Sequence, residues 1–130
     1  MTEPADLLAG RVALLTGAAS GIGRATAHLF ASRGAIIYAS DLEEPAPEAA
    51  TRASGSAEWT GLRLDVRSEV DWEAVIRLVL EERGRLDILV HAAGVASASP
   101  LTETPFETWR DVLSTNLDGT FLAIRHGVRA

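Results

Sequence analysis

The chain has no cysteine and no lysine. Without cysteine it can form neither a disulfide nor a thiolate metal site, and a reducing cytoplasm is the expected compartment. Without lysine, all 12 basic residues are arginines, so the chain has no side-chain amine for catalysis. Tyrosine occurs once, at Tyr38, and a reaction that needs a tyrosine beside a lysine therefore lies outside these 130 residues. No apolar run approaches the roughly 20 residues of a membrane span, which predicts no membrane association. The opening Met1-Thr2-Glu3-Pro4 carries an acid and no apolar core, unlike a secretory leader. A surplus of acid, net charge −6, speaks against the basic face of a nucleic-acid binder. The three histidines, His28, His91 and His126, fall on different elements, and no His/Asp/Glu group has ligand spacing, so no metal is expected.

What is present is the composition of a folded domain. Hydrophobic residues make up 47% of the chain and charged residues 23%, and 130 residues suffice for a single core. The most informative stretch is Thr16-Gly17-Ala18-Ala19-Ser20-Gly21-Ile22-Gly23. It follows the apolar run at 11–15 and opens an amphipathic segment, so it reads as strand, glycine turn and helix start. Unpaired N–H groups and the positive end of a helix dipole then converge on one point, which suits a phosphate. Gly17 permits the tight turn, Gly21 keeps a pyrophosphate's approach clear, and Gly23 allows close helix packing. The blander alternative is a tight connection with no ligand.

Beyond the turn, apolar strands and helical patterns alternate. Strands are expected at 11–16, 35–40, 58–64 and 86–90. Helices are expected at 21–33, with Ile22, Ala25, Leu29 and Phe30 on one side, and more weakly at 43–54. A longer one, capped by Ser68 and stopped by Gly84, should turn Val70, Ala74, Val75, Leu78 and Val79 inward. After a small-residue loop at 95–101, a last helix begins at Thr104-Pro105. Its apolar stripe is Phe106, Trp109, Leu113, Leu117, Phe121, Ile124 and Val128. Alternation of this kind predicts an α/β fold, a Rossmann-type doubly wound parallel sheet of order 3-2-1-4, with helices on both faces. One dinucleotide-binding domain over 1–130 is expected, incomplete at its C-terminal end because no strand follows the last helix. An open strand edge and an unpaired apolar stripe predict self-association.

Asp41 closes the second strand about 18 residues beyond Gly23, near the ~20 expected of a ribose-binding acid. A carboxylate there suits both ribose hydroxyls and repels a 2′-phosphate, so NAD is preferred over NADP. The alternative is a solvated turn acid.

The glycine spacing, T-G-x-x-x-G-x-G, resembles that of the short-chain dehydrogenase/reductase family. The resemblance implies a cofactor site built from Thr16, Gly17, Ser20, Gly21, Ile22 and Gly23. It further implies that Asp65 and Val66 serve the adenine, and that Ala92, Ala93 and Gly94 flank the cofactor ribose. His91-Ala92-Ala93-Gly94 departs from the family's Asn-Asn-Ala-Gly, and a buried structural role is expected for His91. Asn116 matches the asparagine of the family's catalytic tetrad, which perturbs its helix so that a main-chain carbonyl holds a water. The family's catalytic serine and its Tyr-x-x-x-Lys pair have no counterpart here. The implied activity is NAD-dependent interconversion of a small-molecule alcohol and carbonyl, with this chain as the cofactor-binding part. A non-catalytic dinucleotide-binding module and an inactive truncated product are the alternatives.

Overall fold

The computed structural model describes residues 6–53 and 58–130. Four parallel strands, β1 (Val12–Thr16), β2 (Ile36–Asp41), β3 (Trp59–Arg63) and β4 (Ile88–His91), form one sheet in the order β3-β2-β1-β4. This is the expected topology. All of β1 is buried, as a central parallel strand must be. Its residues alternate between two cores. Val12 and Leu14 join Tyr38 and the α3 residues on one face, while Ala13 and Leu15 join alanines of α1 and β2 on the other.

The α1 layer (Gly21–Ser32) is built for close approach. Its buried residues are Gly23, Ala27 and Ala31, four apart on one line. Of the apolar side expected from the sequence, only Phe30 packs against the core. Ile22 and Leu29 are 80% and 53% exposed, and Ala25 is exposed too. At ~100° per residue these three point away from the Gly23-Ala27-Ala31 line. The small residues of this line let the helix lie close over Ala13, Leu15, Ile37 and Ala39 of the sheet.

On the opposite face α3 (Glu69–Arg83) starts at Ser68, whose hydroxyl accepts the Asp71 N–H. It stops at Gly84 in the left-handed conformation, as expected. Its buried line is Trp72, Val75, Ile76 and Val79. Val70 and Ala74, expected inside, lie about half a turn away and are exposed. Trp72 takes the centre because its indole N–H has an acceptor there, the Val66 carbonyl at 2.9 Å.

The second helix shrinks to α2 (Ala49–Ala53). Pro45 and Pro47 disfavour helix at themselves and at the residues before them, so 42–48 stays irregular. Ser54, part of the expected helix, lies outside the described residues. The last helix is not continuous. It runs as α4 (Phe106–Leu113), one π-helical turn over Ser114–Asp118, and α5 (Gly119–Gly127). Pro105, not Thr104, holds the N-cap position, and the Thr104 hydroxyl bonds the Pro100 carbonyl instead. The π turn rotates the face that follows, so Gly119, Leu122 and Ala123 are the buried residues of α5. The expected stripe faces solvent, from Phe106 at 74% to Val128 at 82% exposed.

The two faces of α3 make a paired prediction. Trp72→Ala should cost about 3–5 kcal/mol in urea denaturation, whereas Val70→Ala should stay within about 0.5 kcal/mol. Equal losses would place the helix face wrongly.

Candidate functional site

The C-terminal ends of β1, β2 and β4 open onto a cleft of about 620 Å³. Open parallel sheets bind ligands at this edge, where the strand order reverses. The turn after β1 supplies Gly17, Ser20, Gly21 and Ile22 to its wall, and β2 ends there with Asp41. The segment after β3 contributes Asp65 and Val66, and that after β4 contributes Ala92, Ala93 and Gly94. Ten of the expected site residues thus share one cavity. Thr16 and Gly23 are buried behind it, and Asn116 stands behind the Gly94–Val95 wall.

The glycine turn has a tight geometry. Gly17 has φ of +65°, and a Cβ on it would lie 2.7 Å from the Ala93 nitrogen. A Cβ on Gly23 would meet the Gly17 carbonyl oxygen, so this glycine seats α1 on the turn itself. A Cβ on Gly21 would meet nothing within 4 Å. Ser20 holds the N-cap position of α1 without a side-chain cap bond. The first N–H groups of this 12-residue helix thus keep their donors for a ligand.

Asp41 reaches back to this turn. Its Oδ2 accepts the Ala19 N–H at 3.0 Å, and its Oδ1 accepts the Leu42 N–H at 2.8 Å. Each oxygen retains a further acceptor site. The carboxylate is thus both the turn acid and a free pair of acceptors at the cleft wall.

Asp65 is more heavily engaged. Its Oδ1 accepts the backbone N–H and Nε–H of Arg67, each at 3.0 Å, and its Oδ2 accepts from the Arg67 terminal nitrogen at 2.9 Å. This bidentate partner holds the Asp65 carboxyl below the usual carboxylate range. Sequence reasoning missed Arg67 as a cleft residue, although its Asp-x-Arg spacing suits a side-chain-to-backbone turn. Asp111 and Thr115, one turn apart along the helix, also line the cleft and were not singled out. Nothing local in the sequence marks them, because a π turn and a crossover bring them there.

At the end of β4, His91 pairs with Thr16 across the sheet, and its Nδ1 lies 2.8 Å from the Thr16 hydroxyl. Thr16 Oγ1 also accepts the Ala93 N–H at 3.2 Å. Burial alone lowers the His91 pKa below its ordinary 6.5. The expected hydrogen-bonded structural histidine is found, partly rather than fully buried, with its Nε2 shielded from solvent.

Asn116 sits within the π turn. Its Oδ1 accepts the Val95 N–H at 2.9 Å and its Nδ2 donates to the Val95 carbonyl at 2.8 Å. Its own carbonyl accepts the Thr120 hydroxyl at 2.6 Å. Gly94 provides the space, since a Cβ there would stand 3.3 Å from Asn116 Oδ1. Among the described residues no group of three His, Asp or Glu could hold a metal, and no helix is long and apolar enough to cross a membrane.

Residues 11–130 match the short chain dehydrogenase family. The chain belongs to this family. D-threitol dehydrogenase of Mycolicibacterium smegmatis is 44% identical over 117 residues, which cover 88% of this chain and 45% of the relative. An NAD-dependent glycerol dehydrogenase of Listeria innocua is 35% identical over 112 residues, 86% of this chain and 44% of that protein. The crystal structure of a short chain dehydrogenase from Mycobacterium smegmatis superposes with a TM-score of 0.82 at 33% identity, covering 95% of this chain and 52% of that one. The chain spans about half the length of the curated relatives it matches. Short-chain dehydrogenases bind NAD or NADP. The residues present fit such a group, with open donors at the start of α1 and an acid at the far wall.

Two glycines with left-handed φ separate clash from strain. Gly84 has φ of +72° and open space around a Cβ, so Gly84→Ala should cost about 1 kcal/mol. Gly17→Ala adds a collision with the Ala92–Ala93 backbone and should cost at least about 2 kcal/mol. Matching urea midpoints for the two variants would argue against the close backbone contact.

Proposed function

We propose that this chain is the dinucleotide-binding part of an NAD-dependent oxidoreductase that interconverts a small-molecule alcohol and a carbonyl compound. The observation that carries the reading is the shared cleft between the uncapped start of α1 and the Asp41 carboxylate. The helix N-terminus would hold the pyrophosphate through backbone N–H groups of 21–23. Asp41 would accept both hydroxyls of the adenosine ribose. Thr16 and Gly23 would act from behind, by fixing the turn. The adenine would lie toward Asp65 and Val66, and the second ribose along Ala92, Ala93 and Gly94. When bound, the nicotinamide supplies or takes a hydride. Threitol and glycerol, named for two relatives, are small alcohols and support the substrate class.

Preference for NAD over NADP follows from charge. A 2′-phosphate about 4 Å from Asp41 would cost up to about 4 kcal/mol at an effective dielectric of ~20. Arg67 offers little relief, because its guanidinium is already committed to Asp65.

Asn116 would serve the site by its clamp on Val95 and by the π turn it occupies. A second reading, binding without turnover by these 130 residues, is favoured by one observation. The single tyrosine, Tyr38, is fully buried and bonded to Glu82 and Arg83, and there is no lysine.

Calorimetry should find NADH bound more tightly than NADPH, with Asp41→Ala narrowing the gap; equal affinities in the native chain would sink the NAD assignment. Gly21→Val should abolish NADH binding while helical circular dichroism persists; a Cβ there meets open space beside the cleft, but φ of +55° adds about 1–3 kcal/mol of backbone strain, so the urea midpoint should fall as well. The purified chain should turn over no member of an alcohol and ketone panel. General acid catalysis contributes roughly 100- to 10,000-fold, and among the described residues the cleft lining holds no histidine or tyrosine to supply it.

A further inference from the structure

His91 is held on one side only. Its Nδ1 meets the Thr16 hydroxyl, whereas its Nε2 is buried and has no hydrogen-bond partner among the described residues. The ring leans on Trp72 with centroids 6.2 Å apart. His91 itself does not line the cleft, but Ala92 and Ala93, next along the chain, do.

Counting protons decides how the ring is oriented electronically. Thr16 Oγ1 already accepts the Ala93 N–H. If the hydroxyl proton goes to Nδ1, the one group left unpaired is the Nε2–H. If instead Nδ1–H donates to Oγ1, both the hydroxyl proton and the Nε2 lone pair lack partners. Each unpaired buried polar group costs about 1–3 kcal/mol, so the first arrangement is favoured.

We propose that His91 is a proton-sensitive positioning residue: neutral, it accepts the Thr16 hydroxyl and steadies the Ala92–Ala93 wall, and protonated, it releases that wall and the dinucleotide with it. The proposal rests on the cofactor reading given above. Protonation puts a hydrogen on Nδ1, which must then donate to Oγ1. The hydroxyl proton is displaced from its acceptor, and the unpaired Nε2–H now belongs to a buried cation. No neighbouring charge compensates. β1 offers Thr16 and α3 offers Trp72. On α5, which packs on β4 through Gly127 against Leu89, Arg125 and His126 turn to Glu69. Across the cleft the Asp65 carboxylate is paired with Arg67. The lowered pKa of His91, caused by burial, agrees.

The sign follows from linkage. The folded chain binds this proton less readily than the unfolded chain does. The His91 contribution to stability is therefore complete above the ordinary pKa of 6.5 and is lost as pH falls from 6.5 through the lowered folded value. NADH affinity should be level above pH 6.5 and fall by up to about tenfold per pH unit below the His91 titration, since one proton is linked.

The test combines NADH fluorescence titration from pH 8 to pH 5 with nitrogen NMR of the imidazoles and urea denaturation. It uses the native chain, His91→Asn and His91→Phe. Expected are an Nε2-protonated neutral ring in the native chain and a loss of the acid limb in His91→Asn. That amide oxygen still accepts the Thr16 hydroxyl, so NADH affinity at pH 8 should stay within about threefold of native. His91→Phe keeps a ring against Trp72, loses the bond to Thr16, and should bind NADH about three- to tenfold more weakly at every pH. An unchanged acid limb in His91→Asn, or an Nδ1-protonated ring at neutral pH, would overturn the proposal. If no NADH binds even at pH 8, the cofactor reading fails and with it the release step. The latch itself then stands or falls on whether native stability drops below pH 6.5 relative to His91→Asn.

Discussion

The backbone of Gly17 lies against the backbone of Ala92 and Ala93, with no room for a Cβ between them. This contact ties the turn after β1 to the segment after β4, the two chain segments that bound the cleft on either side of the strand-order reversal. Thr16 and His91 sit directly beneath it, in register across the two strands. Thr16 Oγ1 closes the junction by accepting from Ala93 and bonding His91. Gly23 then presses α1 onto the same turn, so the helix start is aimed by the strand pair and not by its own cap. A helix whose N-cap residue makes no side-chain bond gives up about 1 kcal/mol of local stability. Here that sacrifice leaves donors open at the cleft, and the backbone contact holds the helix in place.

The two faces of the sheet solve the packing problem differently. On the α1 side the helix contributes mainly Gly23, Ala27 and Ala31, which pack on a sheet face of alanines with Leu15 and Ile37. On the α3 side larger residues gather around Trp72. Trp72 also reaches the site indirectly, since its N–H holds the carbonyl of Val66. Val66 in turn lines the cleft and stands 2.9 Å from where a Cβ on Gly119 would be. One core side chain thus links the end of β3, the start of α5 and the Val66 wall of the cleft.

What the sequence revealed follows from what is local. The glycine spacing, the alternating strands and the cap-and-stop pair Ser68 and Gly84 depend on a few adjacent residues, and each was legible. Ten expected site residues meet in one cavity because strand ends are fixed by topology once the order is known. Helix faces were less legible. Ile22, Val70 and Phe106 are apolar yet exposed, whereas the buried line of α1 is made of residues too small to register as a hydrophobic face. The π turn at Ser114–Asp118 was foreshadowed only by Asn116, an unfavourable mid-helix residue. Its consequence, a rotated buried face on α5, is not visible in any 3.6-residue pattern. Thr115 lies within that turn, Asp111 just before it, and Arg67 reaches the cleft separately through its bonds to Asp65.

On the proposed function, the placement of Tyr38 separates binding from turnover. Tyr38 lies in the middle of β2 and extends beneath the sheet to Glu82 and Arg83 at the C-terminal end of α3. Asp41 ends the same strand at the cleft, so the tyrosine hydroxyl and the cofactor wall lie at opposite edges of the sheet. Burial and the Glu82 carboxylate both raise the Tyr38 pKa above its ordinary value, the reverse of what a phenol must undergo to exchange protons near neutrality. His91 is closer to the cleft, but it is partly buried, its pKa is depressed, and its one bonded nitrogen is occupied by Thr16. Three ionisable groups at or beside the cleft hold local structure: Asp41 the glycine turn, Asp65 the Arg67 side chain, and His91 the Thr16 hydroxyl. Backbone donors at the start of α1 and fixed acceptors such as Asp41 are what the proposed function asks of a dinucleotide site.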